Sequence, residues 1–326
     1  MRVALAAHAT PRASEGMRVY TQALIEHLPH AAPDIELLVV DVPAVVAPLR
    51  LRAARADLVH LPYLEAPPLV PRPYVAMLHD CIHLRYPASF SRLTAAYWRL
   101  FALPMYRGAA RVLVSDQRVA ADAASLAGID RERIRVVPLG YDDAIPDAQA
   151  WVDEHPYVLY AGNRRPHKNL ETLYAAWAAL PPEVAVDLVL TGPDDPEVRA
   201  RFVRPRGRIM FLGHLDAQTL AQRYRGAVAY VQPSLSEGFG IPSLEAAVAG
   251  TPVIATTTSV PAIVAPYVRT FDPGDVLTLA SLLNAVIADP LTARAHAAEG
   301  AMILRAYTWD RFAASTAAVY REVICP

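Results

Sequence analysis

Residues 228–250 read VAYVQPSLSEGFGIPSLEAAVAG, and the fold turns on this stretch. VAYVQ is a short apolar run closed by Pro233, as expected of a buried strand. A polar loop carrying Gly238 and Gly240 follows. Pro242 then suits a first helical turn, and Gly250 suits a helix stop. Strand, glycine loop and helix in that order form half of a βαβ unit, the building block of a parallel sheet.

The same alternation extends in both directions. After the midpoint, YVLYAG (157–162), VDLVLTG (186–192), RIMFLG (208–213) and PVIATT (252–257) read as strands. In the first half RVALAA, ELLVVDV, DLVHL, YVAML, RVLVS and IRVVPL form an equivalent series, with the clearest helix from Gly16 to Leu28. PDAQAWVDEHP (146–156) is polar and proline-flanked, as a linker between two domains would be. The expected class is therefore α/β: two facing Rossmann-like domains with parallel sheets and a cleft between them. Residues 1–150 form the N-terminal domain and 151–306 the C-terminal one. A helix within 307–326, with Trp309, Phe312 and Tyr320 at helical spacing, can cross back to the N-terminal domain.

Bulk properties agree and exclude several classes. A chain of 326 residues suits two domains of roughly 150 residues each. A formal net charge of −1 gives no electrostatic case for nucleic-acid binding. Cys81 and Cys325 are the only cysteines, which suits a reducing cytosol. MRVALAAHA has the flavour of a signal peptide, but His8 and Pro11 cut its apolar run short, and a first strand explains it better. No segment approaches the ~18 uninterrupted apolar residues of a membrane span, so a cytoplasmic protein, at most peripheral on the inner membrane face, is expected.

Two loops concentrate the chemistry. In 233–250, Glu237 lies in the loop and Glu245 near the start of the helix. Carboxylates accept hydrogen bonds from sugar or ribose hydroxyls, while glycine loops and helix starts offer N–H groups to phosphate. The plainer reading is a helix-start Glu favoured by the dipole beside a solvated one. The second loop, YAGNRRPHKN (160–169), gathers Arg164, Arg165 and Lys168 at a helix start. Lys168 is the only lysine beside 30 arginines. An ammonium is a compact point charge where a guanidinium is a wide fork, so a lone Lys here fits a diphosphate in a narrow slot. A solvated basic turn is the bland alternative.

With both loops in view, GNRRPHKNL…LTG…FLGHLD…YVQPSLSEGFGIPSLEAAVAGTPVIA resembles the family-four retaining glycosyltransferases of the GT-B fold, across nearly the whole C-terminal half. YVAMLHDCIHLRYP and VLVSDQ…VVPLG are similar to the N-terminal domain of the family's bacterial mannosyl- and rhamnosyltransferase-like members. The resemblance implies that Glu237 and Glu245 form the E-x7-E motif, the first near the donor sugar and the second on the ribose. It implies that Lys168 and Arg164 or Arg165 hold the diphosphate, that Gly162, Gly238, Phe239 and Gly240 line the donor, and that Gly213 and His214 meet the nucleobase. The chain departs from the family at Asn163, where members often carry Arg, at His167, where many carry another Arg, and at Pro261-Ala262, where many read Pro-Glu.

On the N-terminal side, His79-Asp80 ends the strand YVAML, at the edge where parallel sheets bind ligands. The resemblance implies a His79 that approaches the donor sugar and phosphate, and a Gly16 turn beside phosphates and acceptor, with Met17 where many relatives have a second Gly. His83 reads as a loop residue and Ser115 as a helix N-cap. Residues 85–111 read as a helix interrupted at Pro104, with Arg92 and Arg99 seven apart on one face. That face can meet an anionic acceptor or a membrane, or simply lie in water.

The expected function is a retaining hexosyltransferase of cell-envelope or polysaccharide synthesis. It would move a hexose from GDP-mannose or another nucleotide-diphosphate sugar to a glycan, lipid-linked or small-molecule acceptor. No D-x-D pair is present, so no metal or other cofactor is expected. A nucleotide-sugar epimerase or phosphorylase of the same fold, and a non-catalytic nucleotide-sugar-binding subunit, are the alternatives.

Overall fold

The computed structural model describes residues 1–7, 15–40, 47–63, 70–87 and 90–325. His8 to Pro11, and the last two residues of ELLVVDV, fall outside them. The chain forms two compact units, one of Met1–Gly140 with Tyr307–Pro326 and the other of Tyr141–Ala306. The crossing at Gly140 precedes the expected boundary at 150 because the linker belongs to the second unit, where Trp151 N donates to Gln222 O at 3.0 Å.

The first unit holds a parallel six-stranded sheet: β1 (Arg2–Leu5), β2 (Glu36–Val39), β3 (Leu58–Leu61), β4 (Tyr74–Leu78), β5 (Arg111–Val114) and β6 (Ile134–Val136). Its order is β2-β1-β3-β4-β5-β6, so the chain reverses direction across the sheet between β1 and β3. β3 and β4 are buried along their whole length, which is why they read as apolar runs, broken in β3 only by His60. The helix Trp309–Ile324, capped by Thr308, packs on the helix Glu15–Ala31. His27 pairs with Asp310 at 2.7 Å, and Arg111 and Arg135 both reach Glu322. The Arg135 hydrogen bond, reinforced by Arg111, holds the Glu322 carboxyl down to about 2.

Two local expectations change. Asp116, not Ser115, caps the helix Gln117–Ser125, accepting from Arg118 N, while Ser115 is buried. Pro104 does not interrupt its helix. The helix Arg92–Tyr97 runs through a π-turn, Trp98–Ala102, in which Leu103 N bonds to Trp98 O, and continues as Leu103–Gly108. The proline sits in the first turn after that bulge, where its missing N–H costs least. Cys81 is buried, which pushes its thiol up to about 12, and Cys325 is exposed and free.

The second unit repeats the architecture with β7 (Tyr157–Tyr160), β8 (Asp187–Leu190), β9 (Ile209–Phe211), β10 (Ala229–Gln232), β11 (Val253–Thr256) and β12 (Arg269–Phe271), ordered β12-β11-β10-β7-β8-β9 and parallel throughout. This is the strand order of a dinucleotide-binding sheet, with its reversal between β7 and β10. Val158, Leu188, Val231 and Ile254 from the strands pack with Leu173, Trp177, Leu279 and Leu283 from the helices.

Candidate functional site

In an open parallel sheet, ligands bind beyond the carboxyl ends of the two strands where the order reverses. In the second unit these are β7 and β10, and the two loops singled out from the sequence are the ones that follow them. Three bonds tie the loops together. Leu235 N donates to His167 O at 2.8 Å, and Asn169 Nδ2 to Pro233 O at 3.2 Å. The third is the ion pair from Lys168 Nζ to Glu237 Oε1, at 2.6 Å. The two side chains are 16% and 12% exposed, so the pair is sheltered yet reachable. Ser234 Oγ donates to the same oxygen at 2.6 Å. Sequence reading did not single out Ser234, which reaches Glu237 only once the loop has curled.

Local conformation explains this placement. Pro166–Lys168 form a 3-10 turn, and Asn169 then adopts the left-handed conformation (φ 51°) before the helix Leu170–Ala178. Asn tolerates that region better than most residues. On the other loop Gly240 (φ +89°) precedes the helix Ile241–Val248, and a Cβ there would lie 2.8 Å from Gln232 Nε2. Phe239 is buried beside it and Gly238 half-buried. Glu245 lies one turn into that helix. Burial pushes its carboxyl up to about 7, against the Tyr224 hydroxyl and the Asp142 backbone.

Arg164 points elsewhere. Its guanidinium donates to Asp195 Oδ2 at 3.1 Å and Pro193 O at 2.7 Å, and stacks 4.8 Å over the Phe211 ring. Arg165 is exposed, with its backbone N–H held by Asn163 Oδ1. Gly162 N donates to Thr191 Oγ1 at 2.9 Å. Beyond β8 and β9, Gly192 and Gly213 exchange two backbone bonds of 2.7 and 3.0 Å. At both glycines the space a Cβ would enter is open, leaving a bare backbone surface suited to a flat group. His214 beside it is exposed.

Gly16 and His79 belong to the first unit. Gly16 is the second residue of its helix, with open space where a side chain would project. His79 follows β4, and its Nε2–H donates to Pro62 O at 2.7 Å. Burial lowers its pKa, so the ring is neutral with Nδ1 as acceptor. Asp80 Oδ1 accepts from Ile82 N, the first residue of the helix Ile82–Arg85, at 3.0 Å. His83 lies between the rings of Phe90 (4.1 Å) and Trp98 (5.1 Å). Among the described residues no cluster of three or more His, Cys, Asp or Glu could hold a metal ion, and no helix is long and apolar enough to cross a membrane.

Comparison with known proteins shows the family and the fold. Residues 2–145 match the profile described as Glycosyltransferase Family 4, and residues 142–302 match Glycosyl transferases group 1. The chain is 31% identical over 174 residues to the O-antigen chain mannosyltransferase B of Escherichia coli, covering 51% of this chain and 45% of that one. Matches to such curated relatives span about half their length. Sucrose-phosphate synthase from Thermosynechococcus elongatus superposes with a TM-score of 0.78 at 20% identity, covering 99% of this chain and 98% of that one. Anabaena HepE in complex with UDP-glucose superposes with a TM-score of 0.77 at 18% identity, covering 99% and 100%. At such identities the two structures speak for the fold alone.

Proposed function

Because the chain belongs to the family-four glycosyltransferases of the GT-B fold, we propose that it transfers a hexose, with retention, from a nucleotide-diphosphate sugar to a glycan or lipid-linked acceptor. The observation that carries this reading is the Lys168–Glu237 junction at the sheet's reversal point, with Glu245 behind it and the bare Gly192–Gly213 backbone beside it. The nucleobase lies on that backbone, and the ribose hydroxyls donate to Glu245. The diphosphate sits by Lys168 and Arg165, and the hexose by Glu237 and the loop of Gly162, Gly238, Phe239 and Gly240. On the first unit, His79 is the group that accepts from a substrate hydroxyl through Nδ1.

When the anomeric C–O bond breaks, the bonding pair leaves on the β-phosphate, and Lys168 stabilises that charge. The acceptor hydroxyl forms the new bond on the same face and gives its proton to the departing phosphate oxygen. Cations already at the site make a metal ion unnecessary. A mannose donor comes first, since a mannosyltransferase is among the relatives.

The acceptor belongs on the first unit. A cavity of about 410 Å³ there is lined by His83, Phe90, Trp98 and Arg99, among others. Along the adjoining helix Leu93, Tyr97, Leu100 and Phe101 are exposed, as are Arg92 and Arg99. Apolar groups flanked by guanidiniums suit the surface of an anionic bilayer that carries a lipid-linked acceptor.

A thermal-shift screen of GDP-mannose, UDP-glucose and related nucleotide sugars, with and without EDTA, tests the donor reading. A true donor raises the transition temperature by mass action. Product analysis with the stabilising donor and an acceptor extract then tests transfer. No shift with any nucleotide sugar would overturn the assignment, and binding without product would make the chain a non-catalytic binding subunit.

A further inference from the structure

His60 lies at the end of β3, fully buried, and both of its ring nitrogens meet tyrosine hydroxyls. Nε2 is 3.1 Å from Tyr20 Oη, on the helix Glu15–Ala31. Nδ1 bonds to Tyr320 Oη, on the helix Trp309–Ile324. Both tyrosines are also fully buried. Burial pushes His60 down to about 3 and raises both tyrosines, so the chain of three groups stays neutral, one imidazole nitrogen donating and the other accepting.

This chain ends on His79. The Tyr20 ring meets the His79 ring edge-on, with centroids 5.1 Å apart and planes at 85°, and it meets Phe312 at 5.1 Å on another side. Pro62, which accepts the His79 Nε2–H, follows His60 by two residues at the end of the same strand. The imidazole of His79 is thus gripped by the tyrosine that His60 anchors and by the backbone that His60 precedes. A buried histidine with both nitrogens satisfied could be mere core, but here Tyr20 also restricts a group at the carboxyl edge of the sheet, one strand from its reversal between β1 and β3.

We infer that Tyr20 and His60 are positioning residues that fix the plane and tautomer of His79, with Tyr320 anchoring them to the C-terminal helix. A ring held with Nε2–H on Pro62 presents one lone pair, at Nδ1, in one direction. Freed from Tyr20, it can rotate about its side-chain bonds and exchange tautomers. The inference rests on the proposed role of His79 in transfer, and the test separates the two.

The test is long-range ¹H–¹⁵N correlation of the histidine rings in labelled full-length protein, with His79 assigned by His79→Gln, beside steady-state kinetics. The wild type should show His79 as a single Nε2–H tautomer through the neutral range. Tyr20→Leu and His60→Leu should average the two ring-nitrogen shifts and lower kcat about tenfold, as loss of orientation does, with the donor KM nearly unchanged. His60→Gln, which can donate to one hydroxyl and accept from the other, should restore both readouts. If the leucine variants fail to fold, Tyr20→Phe still reads the contact, and its unanchored ring should broaden the His79 signals. Unchanged His79 ring signals in every folded variant would overturn the inference. Altered signals with unchanged kcat would sustain the positioning and remove His79 from the proposed site.

Discussion

Lys168 Nζ donates to Glu237 Oε1 across 2.6 Å, so the chain's only lysine side chain is already committed to the first glutamate of the E-x7-E pair. The bond spans two loops separated by more than sixty residues, brought together because β7 and β10 are neighbours in the sheet. An ammonium has three N–H donors, so two remain for phosphate oxygens while the third keeps Glu237 oriented. In this arrangement the cation and carboxylate preorganise each other before any donor arrives.

Lys168→Ala is expected to lower kcat/KM by about 30- to 1000-fold, the range for losing roughly 2–4 kcal/mol of transition-state stabilisation. Lys168→Arg should recover only part, because the planar fork cannot sit as a point charge between Glu237 and a diphosphate. A double-mutant cycle with Glu237→Gln, followed by steady-state kinetics, should give strongly non-additive losses. Near-wild-type turnover in Lys168→Ala would refute the placement of the diphosphate.

The neighbouring arginines should separate cleanly. Arg164 is spent on Asp195 and Pro193, so Arg164→Ala should cost on the order of 1 kcal/mol of stability, read by denaturant unfolding, with a modest effect on donor binding. Arg165 is exposed and in the proposed placement meets the donor diphosphate, so Arg165→Ala should raise donor KM several-fold while stability holds. Donor titrations showing the reverse order would mean that Arg164 leaves Asp195 when the donor binds.

Gly240→Ala tests the loop itself. At φ +89° an L-residue costs roughly 1–2 kcal/mol, and the added Cβ would press on Gln232 Nε2 at 2.8 Å. Gln232 in turn donates to Ser259 O at 3.2 Å, so the disturbance would pass into the loop after β11. A lower transition temperature and weaker donor binding should appear together. An unchanged donor titration would separate the loop from the donor site.

Much of this architecture was legible in the sequence because parallel strands buried on both faces read as apolar runs. YVLYAG, VDLVLTG and VAYVQPS each contain the strand they announce. β12 was not, since three residues at a sheet edge, only Phe271 of them buried, leave no periodic signal. The division near 140 was obscured by a polar stretch that looks like a linker and packs as part of a domain. At the site, Glu237 and Lys168 were visible as residue types beside glycine and helix starts, but their pairing is a product of strand order. The engagement of Arg164 with Asp195, and of Glu237 with Ser234, depends on loop geometry that adjacent residues do not encode.

The apolar stripe of the first unit makes a prediction of its own. Leu100→Asp with Phe101→Ser should reduce sedimentation with vesicles containing phosphatidylglycerol, and high salt should weaken wild-type binding through Arg92 and Arg99. Transfer to a short water-soluble acceptor should be unaffected. Equal binding to neutral vesicles, or none to either, would count against a bilayer surface.

The two glutamates should differ in both kinetics and pH dependence. In the proposed placement Glu245 binds ribose hydroxyls in ground and transition states alike, so Glu245→Gln should chiefly raise donor KM. In the proposed placement Glu237 is the carboxylate nearest the sugar, where positive character develops as the glycosidic bond breaks, so Glu237→Gln should lower kcat more than it raises KM. The Glu245 carboxyl titrates near 7 in the folded protein, above its ordinary value, because burial disfavours the charge. A raised folded-state value means the folded form binds this proton more tightly than the unfolded chain does. The stability it confers is complete below the usual carboxylate range and is lost as pH rises through about 7. Ribose binding needs the opposite species, since only the ionised carboxylate accepts from both hydroxyls. Donor KM in the wild type should therefore fall as pH rises through about 7, while thermal stability falls over the same interval. Glu245→Gln should flatten both profiles. Steady-state kinetics and thermal melts across the neutral range, on wild type and both variants, decide the matter. A pH-dependent KM that survives in Glu245→Gln would assign the titration to another group, and a kcat loss confined to Glu245→Gln would reverse the two roles.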